Sequence, residues 1–248
     1  IKKKWKFREN IAEANTLSLR RGFSYGTEND ITSLGVNLKR FTKEDGIYRK
    51  INGNEAVALG LVAAAENSWR DLVLGSYPIT PATPILETLS KYKNFNIKTI
   101  QAEDEIAAVG AALGASYAGS LGVTTTSGPG LALKTETIGL GVMAELPLVV
   151  VNVQRAGPST GLPTKTEQAD LMQAIFGRNG ESPVVVLAAA SARDCFDTTI
   201  EACRLALQFR TPVILLTDSY MANGSETWRV PSPKEIPDIS VEPIRQGE

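Results

Sequence analysis

A chain of 248 residues with 43% apolar and 21% charged residues can bury a full core without disulfide or metal staples. Its net charge of −1 excludes a broad electrostatic pull on nucleic acid or on an anionic membrane surface. It has no histidine and only two cysteines, which excludes Ser-His-Asp hydrolysis, His-ligated metals, and a four-cysteine zinc site or iron–sulfur cluster held by this chain alone. Any chemistry must come from carboxylates, Lys, Arg, hydroxyls or a cofactor.

Residues 1–51 are expected to be a basic arm or linker. The first fifty carry twelve Lys/Arg against six Asp/Glu, with little apolar periodicity, and read as a solvated, irregular segment. Their basic start is followed by no apolar core of the kind a signal peptide needs. Cys195 and Cys203 fall in a predicted helix and read as small core residues, a pattern of a reducing, cytoplasmic compartment.

From residue 52 the pattern becomes regular. Helical spacing over 54–66 leads to a strand at 71–75, a Pro-rich turn and a helix at 84–92. Strand 96–101, helix 105–117, strand 122–126, helix 131–144 and strand 146–153 follow. After a long loop, 154–166, come helix 167–176, strand 183–188, helix 192–209 and strand 212–217. Strands that are unbroken apolar runs, such as Leu148-Val-Val-Val, alternate with helices. The fold class expected is α/β, a doubly wound, mostly parallel sheet with helices on both faces, over 52–228. The four prolines after 229 make 229–248 an expected exit linker.

Ligands of such sheets sit beyond the carboxyl ends of the strands, so three loops matter most. In Tyr77-Pro-Ile-Thr-Pro the prolines stiffen the backbone around Thr80, whose hydroxyl could cap a helix or hold an anion. The loop after 153 carries Arg155, whose planar guanidinium suits a carboxylate or phosphate, or equally a structural salt bridge. The third loop is Ala102-Glu-Asp-Glu105. No charged residue occurs over 106–133, so Glu105 stands at the mouth of a helix made of small and apolar residues. It is either a dipole-complementing acid or a poorly hydrated carboxylate ready to share a proton. The all-apolar helix is expected to be buried all round, against another subunit. The uncharged run itself is no membrane span, because hydroxyl residues and a Gly-Pro-Gly break it. The amides of the turn Thr124-Thr-Thr-Ser-Gly-Pro-Gly could face a ligand, although tight helix–sheet packing explains the glycines as well.

Four motifs in this order resemble the alpha subunit of 2-oxoacid:ferredoxin oxidoreductases, nearest to the 2-oxoglutarate type. They are Tyr77-Pro-Ile-Thr-Pro, Glu105 before Gly110-Ala-Ala-Leu-Gly-Ala-Ser-Tyr-Ala-Gly, Thr124-Thr-Thr-Ser-Gly-Pro-Gly, and Gln154-Arg-Ala-Gly-Pro-Ser-Thr-Gly-Leu-Pro-Thr-Lys. The resemblance covers roughly 52–223 and implies the pyrimidine-binding domain of a thiamine-diphosphate enzyme. In that family a glutamate, matched here by Glu105, hydrogen-bonds the aminopyrimidine and promotes formation of the thiazolium ylid. Ser127 and Gly128 match the cofactor-side turn. Thr80, Arg155 and Thr164 match residues on the substrate side, and Lys165 could counter a distal carboxylate.

The resemblance also implies a beta subunit that holds the diphosphate with its Mg²⁺ and carries the iron–sulfur cluster; no metal is expected on this chain. Partners implied are ferredoxin, coenzyme A and a 2-oxo acid in a two-fold oligomer, with no nucleic acid and no membrane. Residues 1–51 could be the tail of a fused gamma-type domain, and the isolated chain is expected to be inactive. Pyruvate, branched-chain and aryl 2-oxo acids stay open as substrates, as does a non-catalytic assembly module with Glu105 in a salt bridge.

Overall fold

The computed structural model describes residues 1–31 and 44–241. The chain forms two compact units, Ile1–Asp45 and Gly46–Glu248.

In the first unit, the irregular arm expected from the sequence is in fact largely helical. Helix α1, Glu9–Glu28, runs for twenty residues and buries none of them. The polar side chains that hid its periodicity are compatible with a helix because the stretch has no proline. Residues 32–43 of the arm lie outside the described residues.

The second unit is built in chain order from β1 (Tyr48–Asn52), α2 (Gly53–Ser68), β2 (Leu72–Ser76), α3 (Thr83–Leu89), β3 (Ile97–Gln101) and α4 (Glu105–Tyr117). Next come β4 (Leu121–Thr126), α5 (Gly128–Met143), β5 (Leu148–Gln154), α6 (Leu171–Phe176) and β6 (Val185–Ala188). Helix α7 (Asp194–Phe209), β7 (Pro212–Asp218), α8 (Ser219–Asn223) and β8 (Ser225–Arg229) complete it. Six strands form a wholly parallel sheet in the order β3-β2-β4-β5-β7-β6.

The doubly wound reading holds. All seven residues of β5 are buried. Val149, Val151 and Val153 join the core under α2, α3 and α7, whereas Leu148 and Val150 join the core with Val109, Leu131 and Ala174 of α4, α5 and α6. That alternation explains the unbroken apolar runs, since each strand is covered on both faces.

The strand order reverses twice. The chain passes from β2 outward to β3, then back across β2 to β4. It passes from β5 to the far edge at β6, then back to β7. The carboxyl ends of β2 and β4, and of β5 and β7, therefore open into the crevices where α/β sheets bind ligands.

Two further expectations need correction. The domain reaches beyond 52–228 at both ends. Strand β1 pairs antiparallel with β8, from Tyr48 against Arg229 to Asn52 against Ser225. Ile51 is fully buried, and Trp228 meets the Phe196 ring of α7 at 5.1 Å between centroids. The expected exit linker also returns to the domain as far as 241. A 3₁₀ turn at Pro233–Glu235 is capped by Ser232, and Ile239 is buried, its amide donating to the Asn67 carbonyl. Residues 242–248 lie outside the described residues.

In the single chain α4 buries one face, and the other is open where burial against another subunit is expected. Ala108, Val109, Ala112, Leu113 and Ser116 face inward, while Ile106, Gly110, Gly114 and Tyr117 are exposed. The small residues serve close approach to the sheet. A Cβ on Gly75 of β2 would collide with the Ala108 carbonyl, and one on Gly122 of β4 with that of Ala112.

Candidate functional site

At the first reversal, β2 and β4 end side by side, and Ser76 Oγ lies 2.7 Å from Thr125 Oγ1. The loop after β3, the strand beside β2, carries the three acids. Asp104 takes the capping role: it is the N-cap of α4 and accepts from the Ala107 amide at 2.8 Å. Glu105 is thereby relieved of that task. It is half-buried, and among the described residues no ion pair holds its carboxylate.

Helix α5 shapes the space around it. A Cβ on Gly130 would collide with Thr126 Oγ1 and stand 2.8 Å from Glu105 Cγ and 3.2 Å from its Oε1. Only glycine there lets the Glu105 side chain lie across α5. One turn later, Lys134 is fully buried and its Nζ donates to the Glu105 backbone carbonyl at 2.8 Å. Burial pushes this ammonium down from 10.5 to about 8, against the opposing pull of Glu105 and, less strongly, Asp104.

Ser127 stands at the N-cap position of α5 but makes no capping bond, and its buried Oγ lacks a partner among the described residues. Gly128 lies against the Asp170 carboxylate, which accepts from Asn152 Nδ2 at 2.9 Å, while the Asp170 amide donates to Gln154 Oε1 at 3.0 Å.

At the second reversal, Arg155 follows directly on β5 and is buried. Its Nη1 donates to the Thr80 carbonyl at 2.7 Å and its Nη2 to the Thr160 carbonyl at 2.8 Å, while Nε has no partner among the described residues. Arg155 thus ties the Tyr77–Pro81 turn to its own loop. Asn54 holds the same turn from the other side, through Nδ2 to the Pro81 carbonyl at 2.8 Å. Desolvation lowers the guanidinium's proton affinity, and Glu105 opposes that, which puts Glu105 within electrostatic reach of Arg155.

Thr80 and Thr164 line one cleft of about 640 Å³ together with Thr83, Thr166, Tyr220 and Asn223. Lys165 is exposed on the same loop and does not line that cleft. The candidate residues therefore fall into two linked groups. Glu105, Ser127 and Gly128 gather around the start of α5, and Thr80 and Thr164 share the cleft. Arg155 links the groups by its hydrogen bond to the Thr80 turn and its attraction to Glu105.

Sequence reasoning missed Lys134, Asp170, Asn152 and Asn54. A signal existed for Lys134. It falls in phase with Leu131, Ile138 and Gly141, the buried stripe of α5, where a charge is out of place.

A family profile described as pyruvate flavodoxin/ferredoxin oxidoreductase, thiamine diP-bdg, matches residues 70–247. Among curated relatives, the 2-oxoglutarate oxidoreductase subunit KorA of Mycobacterium tuberculosis is 56% identical over 248 residues, all of this chain and 38% of the relative. The 2-oxoglutarate synthase subunit KorA of Archaeoglobus fulgidus is 43% identical over 187 residues, 75% of this chain and 53% of the relative. The chain thus spans well under two thirds of the length of these relatives. A solved 2-oxoglutarate:ferredoxin oxidoreductase from Magnetococcus marinus, with 2-oxoglutarate, coenzyme A and succinyl-CoA bound, superposes with a TM-score of 0.79 at 37% identity. That match covers 92% of this chain and 40% of that one. On this fold, this strand-end geometry and these matches, the chain belongs to the thiamine-diphosphate-binding family of pyruvate flavodoxin/ferredoxin oxidoreductases.

Proposed function

We propose that the chain is the pyrimidine-binding part of the alpha subunit of a 2-oxoglutarate:ferredoxin oxidoreductase. With a beta subunit it would convert 2-oxoglutarate and coenzyme A to succinyl-CoA and carbon dioxide, passing two electrons to ferredoxin. The observation that carries this reading is the Glu105 carboxylate, which makes no ion pair among the described residues and is given room by Gly130 beside the end of β4. Among the described residues this carboxylate has no structural salt bridge, which a non-catalytic assembly module would need.

The residues present fit the thiamine ring. Glu105 offers a carboxylate for a ring nitrogen, and the turn carrying Gly130 offers the partnerless Ser127 Oγ and the backbone at Gly128. Thiamine diphosphate, when bound, supplies a carbanion and an electron sink, so the absence of histidine is no obstacle. Glu105 holds a proton against the ring nitrogen. Thr80 and Thr164 offer hydroxyls to the 2-oxo acid in the cleft. Arg155 does not itself line that cleft; one N–H on each of its Nη atoms is not spent on a carbonyl and is offered to the substrate carboxylate from behind the Thr80 turn. Lys165 is exposed beside them and would serve a distal carboxylate only if its loop moved.

The diphosphate, its Mg²⁺ and the iron–sulfur cluster belong, in this reading, to the beta subunit. The exposed face of α4, with Ile106, Gly110, Gly114 and Tyr117, is the surface offered to a partner in a two-fold assembly. Cys195 and Cys203, buried with thiols pushed up to about 12, stay inert in a reducing cytoplasm. The test is co-purification of the full alpha chain with a beta subunit, followed by 2-oxoglutarate-dependent reduction of a low-potential acceptor. Turnover of pyruvate but not 2-oxoglutarate would move the substrate within the family. No turnover of any 2-oxo acid by an assembled complex would sink the reading.

A further inference from the structure

The proposed function leaves the buried charge of Lys134 unused. Lys134 is fully buried on the apolar stripe of α5, a costly place for an ammonium. Among the described residues its Nζ finds one hydrogen-bond acceptor, the carbonyl of Glu105. The charged groups that face it are Glu105 and Asp104 on the α4 side, and Arg155 of the neighbouring loop bears on the same Glu105. It also sits beside the amino end of α4, where the helix dipole disfavours a cation. A core lysine with no task would be better replaced by methionine, as buried ion pairs commonly can be.

The geometry around it suggests the task. Gly130 and Lys134 stand one turn apart on α5. The first gives the Glu105 side chain its place, and the second grips the Glu105 backbone. We propose that Lys134 is the positioning residue of the Glu105 site, its ammonium fixing the first turn of α4 and holding a positive charge beside the Glu105 side chain that faces a ring nitrogen. This inference rests on the proposed function, since it assigns Lys134 to the proton-holding work of Glu105. It does not make Lys134 a catalytic residue, because its contact is with Glu105 and not with cofactor or substrate.

The experiment uses the assembled alpha–beta complex with Lys134→Met, which removes the charge, and Lys134→Gln, which keeps a donor to the carbonyl without charge. Three quantities are read: the Kd for thiamine diphosphate, the exchange of the thiazolium C2 proton for deuterium, and kcat against KM for 2-oxoglutarate. Both variants are expected to weaken the cofactor by about fivefold or more and to slow C2 exchange and kcat by about tenfold or more. KM should stay within about threefold of wild type. C2 exchange within about twofold of wild type in either variant overturns the proposal. Failure of both variants to assemble also overturns it, because Lys134 would then be a structural residue. Wild-type complex that neither exchanges the C2 proton nor turns over 2-oxoglutarate defeats the proposed function itself, a distinguishable outcome.

Discussion

Lys134 Nζ donates to the backbone carbonyl of Glu105 at 2.8 Å, so a fully buried ammonium on α5 holds the residue that opens α4. The local pH dependence follows from that burial. Lys134 is pushed from 10.5 to about 8 in the folded chain. Below pH 8 the burial penalty is fully present. Between about 8 and 10.5 the unfolded chain holds a proton that the native one has released, so stability rises with pH across that window. At about 1.4 kcal/mol per unit the gain is on the order of 3 kcal/mol. Urea denaturation of wild type and Lys134→Met at pH 7 and at pH 10 measures it. The wild type should gain on the variant at the higher pH, and parallel behaviour of the two would refute the assignment.

Gly130→Ala places a methyl against Thr126 Oγ1 and Glu105 Cγ. Glu105 must move or α5 must shift, at a cost of about 1–3 kcal/mol in stability. Thiamine diphosphate should bind the assembled complex at least about tenfold more weakly, a loss of about 1.4 kcal/mol. Calorimetric titration checks this, and unchanged affinity would mean that Glu105 has other room.

Arg155→Lys keeps a charge but loses the fork that spans the Thr80 and Thr160 carbonyls. The Thr80 turn loosens while Asn54 still holds the Pro81 carbonyl. KM for the 2-oxo acid should rise about tenfold or more with a smaller change in kcat, since positioning of the substrate carboxylate is what suffers. Equal losses in kcat and kcat/KM, with KM unchanged, would point to a different role.

The antiparallel pair β1–β8 closes the domain. A chain starting at Gly46 keeps the pair and should fold with a Tm near that of the full chain. Ile51→Ala, which empties a fully buried position, should cost about 2–5 kcal/mol. Thermal melts of the two proteins side by side decide this. A cost below ~1 kcal/mol would mean that the ribbon is peripheral.

The parts legible in the sequence were those with strong local signals. Helix α4 begins and ends where small-residue spacing predicts it, and the parallel strands follow from unbroken apolar runs that two-sided burial requires. The β1–β8 pair was not legible. Tyr48–Asn52 and Ser225–Arg229 are short and partly polar, and their pairing joins opposite ends of the domain. Helix α1 escaped because none of its residues is buried and polar residues fill most of it. At the site, the types and order of Thr80, Glu105, Arg155 and Thr164 could be read from motifs. The division of labour between Asp104 and Glu105 needed the Ala107 amide to be placed. The role of Lys134 needed the packing of α5 on α4, since a lysine in a helix reads as solvated until its face is known.

The most direct test of the account is Glu105→Gln in the assembled alpha–beta complex, read as 2-oxoglutarate-dependent reduction of a low-potential acceptor. A glutamine fills the same space beside Gly130 but cannot hold the proton. The account predicts that kcat falls by at least about a hundredfold with assembly intact. Activity within about threefold of wild type, a cost below ~1 kcal/mol, would contradict it.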